Sequence, residues 1–341
     1  MKFIRIARTC GVLLSLLSLL GCEKAEEAAV YKKSAFIMGT IVNITIVDSN
    51  EKDAAVKIEE AFDEIRRIEG LMMRMKPTSD ATKINASAGE GPVKVNPETL
   101  QVIMDSLPAT SLTSGKFDIT IGPLTSLWDF ENNGKREFVP SADEIQAARS
   151  LVGIKDLEID SVSSSVFLKR KGMTLDLGGI AQGYAADQAV KLLKSKGIKS
   201  GIVDISGDIL LFGHKPDGSV WRTGIQHPRK EKEILAVLEL TDKAVVTAGD
   251  YEHYFIKDGV RYHHIIDPDT GYPAGECQSV TIVTDKTVYA DSVDDGIFIL
   301  GPEKGMELIN SRNDMDGFIV AKDGKILVSE RLKGKVEILG N

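Results

Sequence analysis

The sequence predicts a mixed α+β fold: largely antiparallel sheets with helices packed against them. Three observations lead there. Beyond Leu157, short β-branched runs follow one another across tight turns, and Asp258-Gly259 and Asp323-Gly324 are hairpin signals. Single helices with apolar stripes separate these strand clusters. That grouping differs from the strict strand–helix alternation of a doubly wound parallel sheet.

The elements read as follows. Phe36 to Val47 is β-branched and roughly alternating, hence a strand. Asp53 to about Met73 is a helix, with Val56, Ile58, Ala61, Ile65 and Ile68 on its apolar side. Pro97 to about Ser114 is a second long helix, opened by proline in its first turn and stopped by Gly115. Ser141 and Glu144 have capping-box spacing at the start of a shorter one. Strands then cover 157–159, 166–169, 201–205, 209–212, 221–226, 234–240, 243–247, 254–257, 261–266 and 279–284. Helices at 288–300 and 302–310 precede a closing hairpin, 318–321 with 326–328.

The N-terminus reads as a targeting signal. Lys2, Arg5 and Arg8 precede an apolar run, Val12 to Leu20, too short to span a bilayer stably. Leu19-Leu20-Gly21-Cys22 resembles a bacterial lipoprotein signal, in which Cys22 is lipidated and becomes the mature N-terminus. Residues 1–22 are thus the signal, 23–34 a polar tether and 35–341 the folded domain, with a weakly marked subdomain boundary near residue 150. Loss of the signal leaves 39 basic against 50 acidic residues, a formal charge of −11. Such a chain is a poor partner for nucleic acid and repels phosphates unless a cation inverts the local field. Once Cys10 is removed and Cys22 lipidated, only Cys277 remains, so no internal disulfide can form.

Two segments carry the chemistry. In Met173-Thr-Leu-Asp-Leu-Gly-Gly-Ile-Ala-Gln-Gly-Tyr-Ala-Ala-Asp187 an apolar strand meets two glycines and a helix begins at once. Open N–H groups and the helix dipole favour an anion there, and Asp176 beside the turn calls for a sugar, a base edge or a cation. A plain strand-to-helix connection is the competing reading. In Ala290-Asp-Ser-Val-Asp-Asp295, Asp291 and Asp295 share a helix face, with Asp294 adjacent. Apolar residues frame them; carboxylates so placed suit a hard cation such as magnesium, while a solvated acidic face is the alternative. His263 and His264 alternate along a strand, so they face opposite ways and do not share a metal. His264, near a turn presenting Asp267, can accept a proton. The P-loop, Gly-x-Gly-x-x-Gly, His-Glu-x-x-His and Gly-x-Ser-x-Gly patterns are absent.

Seven segments, in order, resemble the ApbE family of FAD:protein FMN transferases. They are Met38-Gly-Thr40; Phe117-Asp-Ile-Thr-Ile-Gly-Pro-Leu124 with Leu127-Trp128; Asp176 to Ala185; Gly201-Ile202 through Gly207-Asp208; Ala248-Gly-Asp-Tyr251; His264-Ile-Ile-Asp-Pro-Asp-Thr-Gly271; and Ala290-Asp291. The resemblance implies an ApbE-like (T-fold-related) architecture and cleavage of FAD, with AMP released and FMN attached to a Thr or Ser hydroxyl. The implied acceptor is a redox-complex subunit on the extracytoplasmic (periplasmic) side of a bacterial membrane, with this chain held there only by lipid on Cys22. It further implies Mg²⁺ held by Gly179, Asp291 and the side chain of Asp295, with His264 as proton acceptor. Met38, Met75, Lys116, Phe117, Asp118, Asp176, Gln182, His264 and Asp267 would contact the flavin nucleotide. This sequence departs from the family pattern at Asp295 (usually Thr or small), Gln182 (usually Lys or Glu), Met75 (commonly aromatic or polar) and Ser206 (usually Gly). These departures bear on the balance between transfer and simple FAD hydrolysis.

Overall fold

The computed structural model describes residues 28–130 and 137–340. The signal segment, Cys22 and the first part of the tether lie outside them. An antiparallel eight-stranded sheet forms the centre, and the predicted α+β class holds. Its strands, in spatial order, are β1 (Ala29–Ile37), β2 (Thr40–Asp48), β6 (Gly201–Ile205), β7 (Asp208–Phe212), β10 (Lys243–Gly249), β13 (Cys277–Thr284), β14 (Asp316–Ala321) and β15 (Ile326–Val328). Three small sheets complete the strands: β3 (Val93–Lys94), β5 (Ser165–Leu168) and β4 (Leu157–Asp160); β11 (Tyr254–Lys257) with β12 (Val260–His263); and β16 (Val336–Ile338), β9 (Ile234–Leu240) and β8 (Trp221–Gln226). The helices are α1 (Glu51–Met72), α2 (Asp80–Ala86), α3 (Pro97–Leu112), α4 (Gly122–Trp128), α5 (Ala142–Arg149), α6 (Gly178–Ser195), α7 (Thr287–Leu300) and α8 (Pro302–Ser311).

The central sheet is covered on both faces. The helices α1, α6 and α7 pack on one, and the β8–β9–β16 sheet on the other through Trp221, Leu235, Leu238, Val245 and Phe318. Strand β13 is accordingly buried along its whole length, and its one long polar side chain, Gln278, donates to the Lys322 carbonyl at 2.8 Å. A third cluster, Leu124, Trp128, Phe130, Ile145, Phe255 and Ile266, ties α4 and α5 to the β11–β12 hairpin. The main core draws on residues from Ile37 to Ile319 and so runs across residue 150.

Several sequence expectations shift. The first strand is a hairpin: β1 and β2 pair from Ala29↔Asp48 to Ile37↔Thr40, with Met38 (φ 55) and Gly39 (φ 77) as its two turn residues. Strand β1 starts at Ala29, inside the span 23–34 read as tether, because its backbone finds a partner in β2. On α1 the buried stripe is Ala54, Ile58, Ala61, Phe62, Ile65, Ile68 and Met72; Val56 points outward at 59 % exposure, off that helical phase. The strand expected over 261–266 ends at His263, where the His264 N–H turns back to the His253 carbonyl at 3.0 Å. The seven-residue helices α2 and α4 were not foreseen; segments that short carry little periodicity. The capping box at Ser141 and Glu144 is present in full.

Candidate active site

The glycine turn and the acidic helix meet. Helix α6 begins at Gly178 without a side-chain cap, and Gly179 is non-helical (φ −85°, ψ 27°). In a regular helix the Gly179 carbonyl would accept from the N–H of Gly183. That N–H donates to Asp291 Oδ2 on α7 at 2.7 Å. Glycine at 183 permits this approach: a Cβ there would lie 2.5 Å from the Thr287 carbonyl oxygen and 2.7 Å from Asp291 Cβ. One turn earlier, a Cβ on Gly179 would lie 3.3 Å from Asp295 Oδ2 and 3.3 Å from the Phe117 ring. Gly179, Asp291, Asp295 and Phe117 therefore line one crevice between α6 and α7.

The crevice is acidic. Asp291 and Asp294 are buried on α7, and Asp208 is buried at the first position of β7. Burial pushes the carboxyl of Asp291 well above the usual range, against the Gly183 N–H that lowers it, and the charges of Asp295 and Asp187 add to the rise. Asp295 is raised to about 6 by burial and by the charge of Asp176. Asp208 and Asp294 are raised by burial and by their acidic neighbours. Among the described residues no Lys or Arg forms an ion pair with Asp208, Asp291, Asp294 or Asp295. Charges buried in this way favour protonation or a cation.

The donor set matches a hard cation. Asp291, Asp295 and the Gly179 carbonyl offer only oxygen, the ligand type magnesium takes. Among the described residues no three His, Cys, Asp or Glu side chains converge on one point. A cation here would therefore draw its remaining ligands from peptide oxygen, water or substrate phosphate.

The rim is paired by contrast. Asp176 takes the Arg74 guanidinium at 3.1 Å and the Thr125 hydroxyl at 2.7 Å, and its other oxygen accepts from Gly178 N–H at 3.0 Å. Lys116 bridges Asp267 and Asp269, each at 2.8 Å. Burial lowers Lys116, but these two carboxylates outweigh it and leave it raised, hence charged. The Asp267–Gly271 turn is held by the Gly271 N–H on the Asp267 carbonyl and by Trp128 Nε1 on the Gly271 carbonyl, at 2.7 and 2.8 Å.

The two histidines do part company. His263 Nε2 lies 2.6 Å from the Ala274 carbonyl, and its Nδ1 accepts from Ile265 N–H at 3.3 Å, so it is a satisfied core residue. His264 stacks edge-on against His253, ring centres 5.4 Å apart, and its Nδ1 is sealed without a partner. Burial, then the neighbouring His253 and His263, push it down to about 3. It is neutral at physiological pH and has a lone pair to offer.

The remaining expected contacts have varied surroundings. Met38 is 3 % exposed in the main core, with its N–H on Glu69 Oε1 at 3.0 Å. Met75 stands 59 % exposed beyond α1. Gln182 is half-buried in the first turns of α6. The Asp118 carboxylate is occupied by the Thr120 N–H and hydroxyl and by Ile154 N–H, which makes it a brace for the loop before α4. Cys277 is buried, and burial raises its thiol to about 12, an unreactive state. Sequence reasoning passed over Arg74, His253 and the burial of Asp208. The last had a legible signal, since Asp208 opens the otherwise apolar strand Asp-Ile-Leu-Leu-Phe.

Comparisons with known proteins identify the family. The family model described as the ApbE family matches residues 38–319. A Vibrio cholerae protein named FAD:protein FMN transferase is 34 % identical over 300 residues, covering 86 % of this chain and 88 % of its own. The ApbE protein of Thermotoga maritima superposes with a TM-score of 0.84 at 33 % identity, over 90 % of this chain and 99 % of that one. The flavin transferase ApbE from Vibrio cholerae follows at 0.81 and 30 % identity, with 90 % and 99 % covered. With the family model matched over residues 38–319 and relatives of 33–34 % identity covering most of both chains, this chain belongs to the ApbE family.

Proposed function

We propose that this chain is a magnesium-dependent flavin transferase that moves FMN from FAD to a Thr or Ser hydroxyl of an acceptor protein and releases AMP. The observation that carries the reading is the meeting of the glycine turn with the acidic helix: the Gly183 N–H donates to Asp291, and a Cβ on the non-helical Gly179 would lie 3.3 Å from Asp295 Oδ2. Magnesium, when bound there, supplies charge neutralisation for the diphosphate. Asp291, Asp295 and the Gly179 carbonyl are the groups of this chain that would hold it.

The acceptor hydroxyl oxygen attacks the FMN phosphorus, the bond from that phosphorus to the bridging oxygen breaks, and AMP leaves with the electron pair. The neutral His264 ring takes the hydroxyl proton. A base at about 3 is weak, so the negative charge of a bound dinucleotide beside it must raise it for the transfer. Lys116 and Arg74 fix Asp267 and Asp176 at the rim. Catalysis of this kind is mainly positioning and charge balance. We place the chain on the extracytoplasmic side, lipid-anchored at Cys22, with an acceptor that is a membrane redox subunit. Among the described residues no helix is long and apolar enough to cross a membrane.

The test is incubation with FAD and Mg²⁺, with and without an acceptor protein carrying the target hydroxyl. Covalent flavin fluorescence on the acceptor, dependent on Mg²⁺, is the expected result. AMP release without labelled acceptor would mark an FAD pyrophosphatase. FAD binding without either product would mark a flavin carrier and sink the proposal.

A further inference from the structure

Asp204 and Asp208 flank the same two-residue turn, Ser206-Gly207, and their carboxylates have opposite surroundings. Asp204 accepts from Asn43 Nδ2 at 3.2 Å and from Gly207 N–H at 3.0 Å, so it holds the turn. Asp208 is 7 % exposed. Among the described residues its carboxylate has no hydrogen bond and no ion pair; the groups acting on it are other acids, Asp291 and Asp295 foremost. Strand β7 packs under α7, and Asp208 alternates in phase with Leu210 and Phe212 of the helix-side core, so its side chain faces that helix from the sheet side.

An unpartnered buried carboxylate is costly and has no use in folding that Asn or Thr could not serve better. Yet it does not join Asp291 and Asp295 around a single point, since among the described residues no three such side chains converge. Magnesium characteristically keeps several waters and takes only one or two carboxylates directly. We infer that Asp208 is a positioning residue for the cation: it accepts a hydrogen bond from a metal-bound water and orients the hydrated ion toward Asp291, Asp295 and the Gly179 carbonyl. This inference rests on the magnesium reading of the crevice and deepens it.

Mn²⁺ alone, without FAD, is the probe, titrated into the full chain and followed by the electron paramagnetic resonance signal of the free ion. The expected result is one site in the wild type and at least a tenfold weaker site in Asp208→Asn, the range typical of lost outer-shell partners. Asp204→Asn, the control on the same turn, lowers the melting temperature and leaves Mn²⁺ affinity within twofold. A folded Asp208→Asn protein with wild-type affinity overturns the inference while leaving the magnesium reading intact. Equal weakening in both variants overturns it as well, because the effect then belongs to the turn. Two wild-type sites falling to one in Asp208→Asn would make Asp208 a direct ligand and reject the water-bridged role. No Mn²⁺ binding by the wild type overturns both readings together.

Discussion

Asp176 and Asp267 at the rim each hold a basic side chain, whereas Asp208, Asp291 and Asp295 in the crevice hold none among the described residues. Both groups are half-buried or buried, so burial does not separate them; the neighbours do. The rim acids receive guanidinium, ammonium, hydroxyl and backbone donors, and their charge is settled on folding. The crevice acids receive one N–H on Asp291 and otherwise one another. Folding alone gains nothing from such an arrangement, so its return must come from a ligand. Paired acids therefore report on architecture in this molecule, and unpaired acids on chemistry.

The sharpest way to break that distinction is Asp291→Asn. It keeps an oxygen for the Gly183 N–H and removes only the charge. AMP release from FAD should fall by at least about 100-fold, several kcal/mol of barrier, with the fold intact by circular dichroism. Unchanged AMP release would put Asp291 among the architectural acids. His264→Ala comes next. Flavin transfer should slow by roughly 10²-fold or more, while FAD affinity, read by equilibrium dialysis, changes far less. Parallel losses in both would make the ring a binding contact.

A smaller effect separates the groups by pH. Asp295 titrates at about 6 when folded, against an ordinary value of 3.8. Between the two the folded chain holds more protons than the unfolded one, so stability falls as pH rises through that window. In metal-free protein Asp295→Asn should raise the melting temperature at pH 8, by roughly 2–4 °C for each kcal/mol relieved, and change it little at pH 4. A gain at pH 4 equal to that at pH 8 would show that Asp295 carries no strained charge. The smallest effect concerns the turn beneath Asp208. Ser206 holds a left-handed backbone (φ 56), so Ser206→Gly should stabilise the chain by about 0.5–1 kcal/mol in urea unfolding. A loss would mean that the Ser206 side chain supports the turn.

Much of this was readable from residue order. The hairpin signals at Asp258-Gly259 and Asp323-Gly324, the Ser141 capping box and the α7 acids all fall where local rules put them. Local rules failed where partners are distant. Met38-Gly39 is a turn because β1 pairs with β2, and strand 261–266 is cut short by the His253 carbonyl. The Asp118 carboxylate also braces Thr120 and Ile154, and the sequence holds no sign of a partner 36 residues away.

Residue order by itself determined the α+β class, the glycine turn before α6 and the acid spacing on α7, because periodicity, turn chemistry and helix geometry are local. The tertiary structure alone decided which acids are neutralised. Whether a carboxylate meets Arg74, Lys116 or only another carboxylate depends on how strands and helices far apart in the chain are packed. That pairing separates a brace from a site.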